Sequence, residues 1–289
     1  MHDNGSKPAY PVEIRRLSTP REECLTLTIG SIDEGTVAEA KAKRFDQLPV
    51  LDHLGKLLGL VAREHIEVLL QEGGSLHATD SGLHLREIGD QYPLLSLLEN
   101  FEEHRALVFR DPKRLSDGGW SNDWFAMVTI SDLNRHPFRA YLYPIMADLE
   151  TALAELIDRH FEDPWDWLSL LSDEAKVPLI GRWELEKRNS VDTSMIAGCT
   201  LTELIKVVHE CDEIRDALGF KSSNQFKNFS GSFPGVRNSI MHPVRSLILV
   251  QEDVHKLRSR IDRILELTAR TRALNADYVE RGMVSQLLP

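Results

Sequence analysis

An internal repeat constrains this chain more than any other feature. DQLPVLDHLGKLLGLVAREHI (46–66) and HRALVFRDPKRLSDGGWSNDWFAMVTISDL (104–133) both read as an apolar strand, an Asp-led polar turn, a second apolar strand and the start of a helix. The second copy differs in its longer Asp- and Gly-rich hairpin, PKRLSDGGWSND. A unit of about 60 residues buries little surface on its own, so two copies of one module are expected to pack together. The run CLTLTI (24–29) and helix-length segments near 36–45, 64–71 and 91–104 complete an α/β reading of the N-terminal half.

The periodicity changes after Tyr141. Leu142, Ile145, Met146, Leu149, Leu153, Leu156 and Ile157 recur at helical spacing, and Val254, Leu257, Ile261, Ile264 and Thr268 form one stripe of a long final helix. Asp163-Pro164 is an N-cap followed by a first-turn proline, and Thr200-Leu-Thr-Glu203 has the form of a capping box. These signals predict an α/β domain over 20–137 and an all-α bundle of four or five helices over 138–280, with the boundary near His136-Pro137.

Charge narrows the partners. With 34 Lys plus Arg against 45 Asp plus Glu in 289 residues, the net charge of −11 argues against a broadly basic nucleic-acid binder. Residues 235–289 nevertheless carry nine basic and six acidic side chains, which suits either an anion-facing surface or a solvated helix face. No apolar run approaches the roughly 18 residues of a membrane span, and MHDNGSKPAYP lacks the layout of a signal peptide, so a cytoplasmic protein with no membrane partner is expected.

Cys24, Cys199 and Cys211 are widely spaced and never form CxxC, and are therefore expected to be reduced core thiols. His209 and Cys211, two apart on an expected helix, would point about 200° from each other and cannot chelate one ion from that helix. No metal site is expected. GGSLHATDSG (73–82) lacks the Lys-Ser/Thr of a phosphate loop, and Trp120, Trp124, Trp165, Trp167 and Trp183 read as packing or hairpin residues.

The end of the second repeat, Val128-Thr129-Ile130-Ser131-Asp132-Leu133, leads a hydrophobic strand into a Thr-x-x-Asp that opens a helix. In this respect residues 20–136 resemble a tandem pair of CBS domains, the Bateman module. The resemblance implies that Thr129 and Asp132 meet the phosphate or ribose of an adenine nucleotide acting as a regulatory ligand. A helix N-terminus offers free N–H groups to an anion, and a carboxylate accepts from ribose hydroxyls. The same pair serves equally well as N-cap chemistry. The first copy has Ala62 and His65 at the corresponding places, which predicts that one of the two clefts is altered.

In SFPGVRNSIMHPVRSLI (232–248), Arg237, Asn238 and His242 form an R-N-x-x-x-H string. Within a helical region of about 140–275 it resembles the HEPN family, whose R-x(4–6)-H motif marks metal-independent endoribonucleases and nucleic-acid-binding relatives. The resemblance implies a homodimer cutting single-stranded RNA to a 2′,3′-cyclic phosphate and a 5′-OH, with no cofactor required for catalysis. His242 would be general acid or base, Arg237 would hold the scissile phosphate, and Asn238 would orient them. In a straight helix Arg237 lies about 100° from Asn238, whose face His242 shares; Pro243 is expected to end or bend the helix there. Lys256, Arg260, Arg263 and Arg270 recur at helical spacing, as an RNA path or as a solvated face. Two functions therefore stand open: a nucleotide-gated endoribonuclease, and a non-catalytic sensor or scaffold whose helical part dimerises or binds a partner.

Overall fold

The computed structural model describes residues 16–79, 86–89, 92–110, 124–189 and 194–287. The N-terminal start, the segment 112–123 with Trp120, expected as a hairpin, and residues 80–82 of GGSLHATDSG lie outside the described residues. The chain divides into two compact units, one formed by 1–141 with 246–258 and the other by 142–245 with 259–289.

Unit one contains the repeat. In the first copy β2 (Leu27–Thr28), α1 (Glu34–Ala42), β3 (Gln47–Leu51), β4 (Leu57–Ala62) and α2 (Arg63–Gln71) follow in order. In the second, β5 (Glu87–Gly89), α3 (Leu94–Glu103), β6 (Ala106–Arg110) and β7 (Trp124–Thr129) lead into a 3-10 turn, Ile130–Asn134, and then α4 (His136–His160). Both copies pair their first two strands parallel and their last two antiparallel. Both also carry a register shift at the same place, between Val50 and Leu51 and between Phe109 and Arg110. The pairings Gln47↔Ala62 and Ala106↔Thr129 make Ala62 the counterpart of Thr129, and hence His65 that of Asp132.

The strands read as continuous apolar runs because both of their faces are covered. Leu48, Val50 and Val61 pack with Val37, Ala40 and Ile66 from the two helices of the first copy. Leu57 and Leu60 meet Ala106, Val108, Trp124 and Met127 of the second copy, so the two copies share one core. The short β1 (Thr19–Pro20) pairs antiparallel with β7, giving a sheet ordered β1-β7-β6-β5 beside a three-stranded sheet β2-β3-β4. Pro20 is tolerated because β1 is an edge strand.

The segment 246–258 is tied into unit one by side chains. Asn134 Oδ1 accepts from the N–H groups of Leu247 and Ile248 at 2.7 and 3.1 Å, and its Nδ2 donates to the Ile248 carbonyl at 2.8 Å. Gln251 Nε2 donates to the carbonyls of Phe101 and Glu102 at the end of α3.

Unit two is helical, but its helices are more numerous and shorter than four or five. It takes the later part of α4, then α5 (Pro164–Ser169), α6 (Asp173–Arg188), a 3-10 turn at Met195–Gly198, α7 (Leu201–Glu210), α8 (Asp212–Ala217), α9 (Ser223–Ser230), α10 (Phe233–Met241) and most of α11 (Glu252–Leu287). The breaks have local causes: extended backbone at Cys211, Gly219 at φ +87°, and the N-cap Ser222, which accepts from the Gln225 N–H. Asp163 and Thr200 cap α5 and α7 as their spacing predicts. The stripes from Leu142 to Ile157 and from Val254 to Thr268 are buried. Among the described residues no helix is long and apolar enough to cross a membrane.

Candidate functional site

A cavity of about 620 Å³ opens in unit one beside the strand-to-turn junction of the second copy. Its volume lies within the range typical of small-ligand sites. Its lining draws on Thr129, Ile130, Ser131 and Asp132, on residues 43–47 with Pro49, and on Leu249–Glu252. The apolar part comes from Leu25, Phe45, Pro49, Met127 and Ile130. Four cations face it, Lys43, Arg44, Arg105 and Arg135, against Asp46, Asp132 and Glu252.

Thr129 and Asp132 engage each other. The Thr129 N–H donates to Asp132 Oδ2 at 2.7 Å, its hydroxyl donates to the same oxygen at 3.0 Å, and Arg135 Nε meets Oδ1 at 3.0 Å. These contacts are cap chemistry, and they hold a turn whose residues Ile130 and Ser131 also line the cavity. Burial pushes the Asp132 carboxyl above its usual range, partly offset by the Thr129 N–H and the Arg135 charge. Burial and the charge of Asp132 push the neighbouring Cys24 thiol up to about 12, so it is protonated and unreactive at neutral pH.

Among the described residues neither Arg44 nor Arg105 pairs with a carboxylate, whereas Lys43 meets Glu39 at 2.6 Å. Arg44 has a second peculiarity, a φ of +59°, the one positive value at a non-glycine position among the described residues. It follows α1, where the Arg44 N–H donates to Lys41 and the Phe45 N–H to Ala40, the paired bonds of a Schellman C-cap. The same caps end α2 and α8 with Gly73 and Gly219 at φ +68° and +87°. An arginine thus occupies a glycine position on the cavity wall. No sequence pattern marks Arg44, Arg105 or the returning residues 249–252, because their meeting depends on contacts far apart in the chain.

In the first copy Ala62 offers no hydroxyl, and Arg63 is bound to the Phe45 carbonyl at 3.2 Å and to Glu67 at 2.6 Å. Neither Ala62 nor His65 lines the cavity.

In unit two, Arg237 and Asn238 are half-buried on α10, and Arg237 Nε donates to Glu150 Oε1 of α4 at 3.1 Å. His242 is exposed at the C-cap of α10, at φ −111° and ψ 95°; α10 ends at Met241, two residues before Pro243. No hydrogen bond or ion pair joins the side chains of Arg237, Asn238 and His242 among the described residues. The basic residues of α11 are largely spent on structure. Arg263 donates to the carbonyls of Asn228 and Phe229, Arg270 to that of Leu218, and Lys256 pairs with Asp253 at 3.1 Å. Arg270 and Arg263 also stand over Phe229, at 6.0 Å from its ring centroid.

The thiols differ from their expected setting in one respect: Cys211 is buried, whereas Cys24 and Cys199 are half-buried, and all three are free. Because α7 ends at Glu210, Cys211 is not on a helix with His209. It lies instead 3.6 Å from His160 Nε2, a residue 51 positions earlier that sequence spacing does not connect with it.

No family profile matches the chain, and no curated protein matches it. Similar solved structures include a CBS domain protein from Shewanella oneidensis MR-1, at 16% identity over 42% of this chain and 92% of that one, TM-score 0.34. Another is the CBS domain of the bacterial CNNM/CorC family Mg²⁺ transporter in complex with ATP, at 20% identity over 42% of this chain and 83% of that one, TM-score 0.32. A third is a functionally unknown conserved protein domain from Neisseria meningitidis MC58, at 18% identity over 42% and 75%, TM-score 0.34.

Proposed function

We propose that unit one is a CBS-type sensor that binds one adenine nucleotide in the cavity between its two repeats. The observation that carries this reading is the cavity's lining: Arg44 and Arg105, without carboxylate partners among the described residues, line it together with apolar side chains and the turn held by Thr129 and Asp132. A phosphate needs the first and a base the second. Calorimetric titration of the intact protein with ATP, ADP and AMP tests it. One nucleotide binds per chain, and Arg105→Ala weakens binding about 10-fold or more, the loss expected for a charge-assisted hydrogen bond. Absence of binding by the wild type at millimolar nucleotide overturns the reading.

The second unit then acts as output. The non-catalytic version, a dimerising or partner-binding scaffold, is favoured by the Arg237–Glu150 pair, which gives Arg237 a structural task. The endoribonuclease version is favoured by one observation: His242 projects beyond the end of α10, exposed and free of side-chain partners among the described residues. In it a homodimer cleaves single-stranded RNA without a metal, through His242, Arg237 and Asn238. Cleavage of labelled RNA in EDTA by wild type and not by His242→Ala, ending in a cyclic phosphate, selects the enzyme. No cleavage with or without nucleotide selects the scaffold.

A further inference from the structure

We propose that His160, Cys211 and Glu213 form a three-ligand site for a zinc-class divalent cation on the helical unit. The three come from different parts of the chain: His160 closes α4, Cys211 joins α7 to α8, and Glu213 is the second residue of α8. Cys211 Sγ is 3.6 Å from His160 Nε2 and 3.4 Å from Glu213 Oε2, and one ligand atom from each residue lies within 4.8 Å of the other two. Zinc takes sulfur at about 2.3 Å and nitrogen or oxygen at about 2.0–2.2 Å; at a tetrahedral angle these bonds place neighbouring ligand atoms about 3.6 Å apart. The side chains therefore need little movement to close on an ion.

The remaining nitrogen of the imidazole is already engaged. His160 Nδ1 lies 3.0 Å from the Tyr278 hydroxyl. When Nδ1–H donates to that oxygen, the Nε2 lone pair is left facing Cys211, which is how an outer partner fixes a ligating histidine. Thiolate and imidazole together select zinc over magnesium or calcium. Cys211 is buried and Glu213 exposed, so the site has a sheltered floor and an open edge where water can complete the tetrahedron.

Without an ion the single proton of the Cys211 thiol has two acceptors within reach, the His160 Nε2 lone pair and the Glu213 carboxylate. Burial, and secondarily the Glu213 carboxylate, push the Cys211 thiol above its ordinary value, which disfavours a free thiolate nucleophile there. A bound dication reverses both effects and displaces the proton.

The test uses the intact protein, stripped with a chelator and titrated with Co²⁺ and then Zn²⁺. One Co²⁺ binds per chain with thiolate-to-cobalt charge-transfer absorption, and Zn²⁺ displaces it. A Cys24→Ser/Cys199→Ser double variant keeps the absorption and Cys211→Ser loses it. Glu213→Gln, a change at an exposed side chain that leaves the core intact, keeps the absorption and weakens binding by about 10-fold or more. The proposal is overturned by absence of the absorption in the wild type, by its loss in the Cys24/Cys199 variant, or by Glu213→Gln and Cys211→Ser binding cobalt like the wild type. None of these readouts depends on nucleotide or RNA.

Discussion

In the proposed sensor, Arg44 joins stability to binding through a single backbone angle. At φ +59° its side chain crowds its own carbonyl, a cost of about 1–2 kcal/mol that the glycines ending α2 and α8 avoid. Residues held in such conformations concentrate where a ligand needs them. Arg44→Gly is expected to stabilise the protein by about 1 kcal/mol, read as a higher urea midpoint at unchanged slope, because part of the relief is offset by the freer unfolded chain. The same variant loses about 10-fold in nucleotide affinity. A variant that is less stable, or that binds nucleotide like the wild type, contradicts this role. Thr129 and Asp132 are legible in the sequence as cap or ligand contact, and the structure shows the cap, made by residues that line the cavity. Arg44 was not legible, since its significance lies in a dihedral angle. Nor was the pairing of His160 with Cys211, which needs the break between α7 and α8.

At the scale of elements, the repeat was readable because its strands are apolar and its turns polar in the same order twice. The observed strands β3, β4, β6 and β7 lie on the runs that the pattern picks out. What was missed is short or distant: β1 and β5, with two and three residues, carry too little pattern to stand out. The helical half was legible as helix but not in its subdivision, because breaks such as Cys211 lack the Pro or Gly that marks most helix ends. The start of the returning segment 246–258 is held by Asn134, whose side chain satisfies two N–H groups and a carbonyl. Asn134→Ala leaves these groups without their partner and is expected to cost about 1–3 kcal/mol. Hydrogen exchange then rises first at the amides of Leu247 and Ile248. Unchanged protection at those two amides would show that the segment is held by something else.

For the whole molecule, length, the repeat and the change of periodicity near residue 140 indicate two bodies of different class, an α/β pair of repeats and a helical unit. The chain does not divide at one point, however, because thirteen residues late in the sequence, 246–258, belong with the first body and four of them line its cavity. Sequence-local signals cannot reveal such a return, which is a matter of contacts more than 100 residues apart, as between Asn134 and Ile248. Photolabelling the intact protein with an azido-adenine nucleotide, with the modified peptides mapped by mass spectrometry, tests whether this cavity holds the nucleotide. Label confined to the cavity-lining stretches around 43–49, 127–135 and 249–252, and displaced by unlabelled ATP, is the predicted result; label elsewhere, or label that ATP does not displace, contradicts the account.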